Sequence, residues 1–144
     1  MANTIKSSFS INTNSLKELA RDLEETVPGT KRALTVSIKE SAEIVATEAR
    51  GLSSWSSRIP GSIRVLGSNQ KVVVRAGGAK APHAAPYENH GFPGTFRHPL
   101  FGDRDHWYPQ AARPFLTPAL ANKSDELNRT VLANLDAAFH AAGF

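Results

Sequence analysis

The 144 residues contain no cysteine. That removes disulfide scaffolds, thiolate zinc sites, iron–sulfur clusters and a cysteine nucleophile from consideration. No run comes near the roughly 18 consecutive apolar residues of a membrane-spanning helix. The first ten residues carry one lysine and no apolar stretch, so they do not read as a secretory signal. Adjacent basic residues are also scarce. Lys31 and Arg32 form the only such pair, although the chain carries a formal net charge of +4. A scattered excess of this kind does not indicate a dedicated DNA-reading element, which concentrates its charge on one helix or stripe.

What is present describes a globular chain. Hydrophobic residues make up 40% and charged residues 21%, within the range of folded domains. Residues 1–144 read as a single domain, large enough to build a core without covalent staples. Ile5, Phe9 and Ile11 nearly alternate and suggest a short strand or an extended arm over residues 1–12. Asn14 or Thr13 then offers an N-cap for a helix carrying Leu16, Leu19, Ala20, Leu23 and Val27, which Pro28-Gly29 ends. Thr30 offers a second cap. Beyond it, Leu34, Ile38, Ala42, Val45, Ala49 and Leu52 form one apolar stripe, the strongest helical periodicity in the chain. Glu43 and Glu48 lie on its polar side as solvated charges. After the turn signal Pro60-Gly61, residues 62–66 and 71–76 read as a β-hairpin closed by Gly77-Gly78.

Residues 79–117 differ in kind. Together with Pro118 they hold seven of the nine prolines, four of the five histidines and seven of the eleven aromatic residues. Proline opposes regular helix and central strand, while aromatic richness opposes disorder. The segment therefore reads as a long ordered loop, a feature uncommon in small domains and usually functional. From Pro118 onward, Leu120, Leu127, Val131, Leu132, Leu135, Ala138 and Phe139 mark a C-terminal helix, with proline well placed in its first turn. The expected fold is α+β: N-terminal helices, a small antiparallel β-sheet, a long ordered proline- and aromatic-rich loop, and a C-terminal helix.

Catalytic patterns are weak. His83, His90, His98 and His106, with Asp103 and Asp105, are enough groups for a metal, but their spacing matches no compact ligand set. Loop histidines making polar or interface contacts are the simpler reading. No serine sits in a Gly-x-Ser-x-Gly elbow, no glycine-rich phosphate loop opens a helix, and no carboxylate pair suggests glycoside chemistry. We therefore expect no enzyme and no cofactor. A metal-dependent hydrolase built on the histidine-rich segment is the remote alternative.

Three stretches carry a family resemblance. They are the helix over residues 30–52 followed by Ile59-Pro60-Gly61-Ser62-Ile63, then Ala84-Ala85-Pro86-Tyr87-Glu88-Asn89-His90-Gly91, then Ala112-Arg113-Pro114-Phe115-Leu116-Thr117-Pro118-Ala119-Leu120. In this order they resemble the tail-completion, or neck (head–tail joining), proteins of long-tailed double-stranded DNA bacteriophages. The likeness runs over roughly residues 14–122 and is most specific in the last stretch. The segment from Phe92 to Gln110 is longer than the usual family loop, and Tyr87-Glu88 is tighter than the usual spacing. The resemblance implies a structural virion protein, made in the host bacterial cytoplasm and placed in the phage neck. It would form a ring of identical subunits, usually six, between the tail tube protein and the head-side connector or stopper protein. Double-stranded DNA would pass through the lumen without sequence-specific contact, and no membrane is involved. A tail terminator or another minor tail protein of the same virion is the nearest alternative.

Ring closure needs two different patches that meet between neighbours, and aromatic and arginine residues anchor such contacts. The candidate interface residues are Tyr87, Glu88, Phe101, Arg104, Trp107, Tyr108, Arg113 and Phe115. Phe115 and Leu116 fit a core as well as an interface. Glu88 reads as a surface charge or as the partner of Arg113 or Arg97, an arginine pairing that would be directional.

Overall fold

The computed structural model describes residues 7–10, 14–68 and 71–144. Helix α1 (Asn14–Thr26) is followed by α2 (Thr30–Leu52), broken where the proline-glycine pair predicted a stop. Gly29, at φ +94°, turns the chain into α2. The expected Thr30 cap is not formed. Thr30 is the first helical residue, and its hydroxyl donates back to the Val27 carbonyl at 2.9 Å. The acceptor comes from α1 instead: the Glu24 carboxylate receives the N–H groups of Lys31 (2.9 Å) and Gly29 (3.1 Å). Those two donors, Lys31 first, hold the Glu24 carboxyl below its ordinary value.

Pro60-Gly61 lies within a single helical turn, α3 (Ile59–Ser62), rather than in an open turn. The predicted hairpin follows as β2 (Arg64–Ser68) and β3 (Lys71–Ala76), antiparallel and paired Arg64 to Arg75 through Ser68 to Lys71. Strand β1 (Ser7–Ser10) adds to the other side of β3, giving the order β1-β3-β2. The rest of the expected N-terminal arm and Thr13 lie outside the described residues.

The three-stranded sheet lies against α2. Val72, Val74 and Ala76 alternate inward and meet Ala42, Val45, Ala46 and Ala49. Alanine at three of these helical positions lets the layers approach closely. The C-terminal helix α5 (Leu116–Ala141) runs antiparallel to α2, because Asn122 reaches Glu48 (3.1 Å) whereas Asn134 reaches Glu40 (2.8 Å). Phe115, Leu116 and Ala119 drive the start of α5 into the core, with Ile59, Ile63, Ala81 and Ala84 around them. Complete burial of Phe115 contributes about 2–3 kcal/mol. Further along α5 the apolar stripe is only half covered, and Leu132 is 65% exposed.

The α+β architecture is that expected, but residues 79–117 are not an irregular loop. They form a short helix α4 (Ala84–Glu88), a 3-10 turn over Asn89–Gly91, and two antiparallel strands, β4 (Thr95–Leu100) and β5 (Asp103–Ala111). Pro99 and Pro109 sit inside those strands. In a two-stranded ribbon both strands are edges, so a residue without an N–H need not break a ladder. Helix α5 begins at Leu116, two residues before Pro118.

Candidate partner-binding hairpin

The β4–β5 ribbon pairs within itself, in the register Thr95 to Ala111 through Pro99 to Trp107, with an irregularity before Leu100 pairs with Asp103. Nearly all of β5 is exposed. Its root is held by a chain of touching rings. Phe96 meets Tyr87 edge-on at 5.0 Å, and Tyr87 meets Trp55 at 4.6 Å. The Arg113 guanidinium lies 5.2 Å above Trp55. Two backbone bonds fix the same point, Arg113 N–H to the Tyr87 carbonyl (2.9 Å) and Ala112 N–H to the Gly94 carbonyl (2.8 Å). Such ring pairs contribute about 0.5–1.5 kcal/mol each beyond area burial.

The tip is a two-residue connection, Phe101-Gly102, with both residues at positive φ (+49° and +83°). That is the geometry of the hairpin turn that favours Asn-Gly, because its twist matches the strands. Here a phenylalanine occupies the first place, 99% exposed. A bulky side chain in left-handed backbone costs about 1–2 kcal/mol, and this one recovers nothing by burial. Behind the tip, the Asp103 carboxylate accepts from the Asp105 N–H (2.9 Å) and pairs with His106 Nδ1 (2.8 Å). These contacts, the Asp105 N–H foremost, lower its pKa. The Trp107 indole N–H donates to the Arg104 carbonyl at 2.7 Å, leaving the ring 46% exposed beside Tyr108, which is 52% exposed.

Of the eight candidate residues, Phe101, Arg104, Trp107 and Tyr108 share this ribbon and are exposed. Tyr87 and Arg113 lie at its root. The other two are corrections. Phe115 is fully buried and belongs to the core. Glu88 is 2% exposed and pairs with neither Arg113 nor Arg97. Its carboxylate caps α5, accepting the N–H groups of Phe115 (2.7 Å), Leu116 (2.8 Å) and Thr117 (2.9 Å) and the Thr117 hydroxyl (2.8 Å). The next residue, Pro118, has no N–H, and Ala119 N–H opens the helical ladder on the Phe115 carbonyl. All the donors that a helix start leaves free are thereby satisfied.

Sequence reasoning missed Trp55 and Phe96, which build the root. Trp55 stands amid serines and shows no periodicity of its own. The histidines disperse. His83 sits beside Ser56 (3.5 Å) and Tyr87, and its pKa is lowered by burial and by Arg58. His98 turns to the Pro99 carbonyl and His106 to Asp103. Among the described residues no three metal-ligating side chains converge, and no helix is long and apolar enough to cross a membrane.

The sequence matches no family model, and no curated protein or solved structure matches the chain.

Proposed function

We propose that this chain is an architectural virion protein that completes the tail or neck of a long-tailed phage. It joins the tail tube to the head-side connector as a ring of identical subunits, with duplex DNA passing through the lumen. The observation that carries this reading is the ribbon ending in Phe101. The core closes without it, and an aromatic side chain is held in strained backbone at the point farthest from any cover. Strain kept at an exposed aromatic tip suits a contact made with another molecule. A ribbon on one copy that meets a different surface on the next is the heterologous contact from which rings are built. The stretches that resemble the neck family have clear duties in this fold. Tyr87 to Gly91 anchors the ribbon, and Arg113 to Leu120 starts the last helix.

The test is electron microscopy of negatively stained lysate from phage in which this gene is interrupted. Filled heads beside separate tails of normal length support joining at the neck. Tails of uncontrolled length would assign the chain to tube termination instead, and intact particles would overturn the proposal.

A further inference from the structure

From Ala49 to Tyr87 the chain carries Arg50, Arg58, Arg64, Lys71, Arg75 and Lys80 and not one acidic residue. Residues 1–17, which include β1, also lack acids. Apart from the buried cap Glu88, the acids lie on α1, α2 and α5 and near the hairpin tip. Charge is therefore separated by layer, and the sheet is the wholly basic one.

The register concentrates that charge. Val65, Val72, Val74 and Ala76 use the inner face, so alternation turns Arg64, Leu66, Lys71, Val73 and Arg75 outward. Arg64, Leu66 and Lys71 are exposed, whereas Val73 and Arg75 are half-buried and the Arg75 Nε is shielded from solvent without a hydrogen-bond partner. Arg64 and Arg75 are directly opposite in the pairing, an arrangement of like charges that destabilises a sheet. Neither forms an ion pair among the described residues, whereas Arg50 at the end of α2 is drawn to Glu43 (3.9 Å) and to the Ile63 carbonyl (3.0 Å). Lys80 follows in the turn after β3.

We infer that the outward face of the sheet, through Arg64, Arg75 and Lys71 with Lys80 at its edge, contacts the phosphate backbone of duplex DNA without reading its sequence. A single-sign field spread over two adjacent strands complements a polyanion. The inference deepens the function proposed above by naming the surface the DNA meets, and it is measured on the purified protein, apart from particle assembly.

The probe is a fluorescein-labelled duplex of about 24 base pairs, in two unrelated sequences, followed by anisotropy from about 50 to about 200 mM salt. Equal binding of both sequences is expected, weakening about a hundredfold over that range if about four phosphates are contacted. Arg64→Glu with Lys71→Glu should weaken binding at least about tenfold at the lower salt. Arg21→Glu with Arg129→Glu changes net charge equally on the helical layer and should stay within about twofold. Arg64→Lys with Lys71→Arg keeps the charge and should keep binding, which guards against a folding defect. Equal losses in the two reversed pairs, or no binding by the unaltered protein, would overturn the inference. So would tighter binding of poly-glutamate than of duplex, which would assign the face to an acidic protein. A negative result here beside separated heads and tails in the interrupted phage would remove the DNA face and leave the joining role standing.

Discussion

Glu88 and Thr117 are joined twice: one carboxylate oxygen accepts both the backbone N–H and the hydroxyl of Thr117, at 2.9 and 2.8 Å. The other oxygen takes Phe115 and Leu116. A charge in this place satisfies the helix donors and lies at the positive end of the helix dipole. Replacing Glu88 by Gln puts an amide N–H₂ against N–H groups. Glu88→Gln should cost about 2–4 kcal/mol in urea denaturation. A loss below about 0.5 kcal/mol would show that the cap is dispensable.

Gly91 and Gly102 share φ +83° but differ in their surroundings. A Cβ on Gly91 would strike the Thr117 side chain, coming within 2.6 Å of its Cβ, whereas one on Gly102 would meet nothing within 4 Å. Gly102→Ala should therefore cost about 1 kcal/mol, from backbone conformation alone. Gly91→Ala should cost at least about 2 kcal/mol, because collision adds to the same strain. Equal losses in thermal unfolding would contradict the close packing of Gly91 on Thr117.

Phe101→Asn separates stability from assembly. Asparagine tolerates left-handed backbone, so stability should hold or rise by up to about 1 kcal/mol. The yield of joined particles should nevertheless fall by about tenfold or more, as expected for loss of an interface anchor. Unchanged yield would remove Phe101 from the contact.

His83 sets a pH response near the ribbon root. Its folded pKa is lowered from 6.5, first by burial and then by Arg58. The unfolded chain therefore takes up the proton first as pH falls. The neutral ring's contribution is fully present above pH 6.5 and is lost as pH falls below that value toward the lowered folded one. Urea midpoints at about pH 7.5 and about pH 5.5 should drop further for the unaltered protein than for His83→Gln. Identical drops would show that His83 titrates as it does in the unfolded chain.

Much of the fold is legible in the residues. Pro28-Gly29 separates α1 from α2, and the Leu34-to-Leu52 stripe marks the helix that the sheet and α5 use as their floor. The ribbon escapes because Pro99 and Pro109 argue against strands, an argument that holds for central strands and fails for a ribbon made only of edges. Glu88 escapes because the cap and the helix it serves are 27 positions apart. A signal exists all the same: α5 starts after Phe115, whose side chain has no oxygen to offer, so the first free donors require an acceptor from elsewhere. The basic sheet escapes a search for adjacent lysines and arginines, since alternation places one charge on the outer face only at every second residue. The absence of acids from residues 49–87 is the pattern that records it.

The Glu88 cap also bears on how freely the ribbon can change. The excursion leaves the body at Glu88 and returns at Phe115, and these two residues are bonded to each other at 2.7 Å. Its ends are tied whatever lies between them. Lengthening the segment adds closure entropy only with the logarithm of its length, about 0.6 kcal/mol for a doubling. The arm is therefore a replaceable cassette on a fixed mount. Tips of other lengths and compositions can be grafted beyond the Phe96–Gln110 pair, which keeps Phe96 on Tyr87, to fit a different neighbour without redesigning the helices beneath.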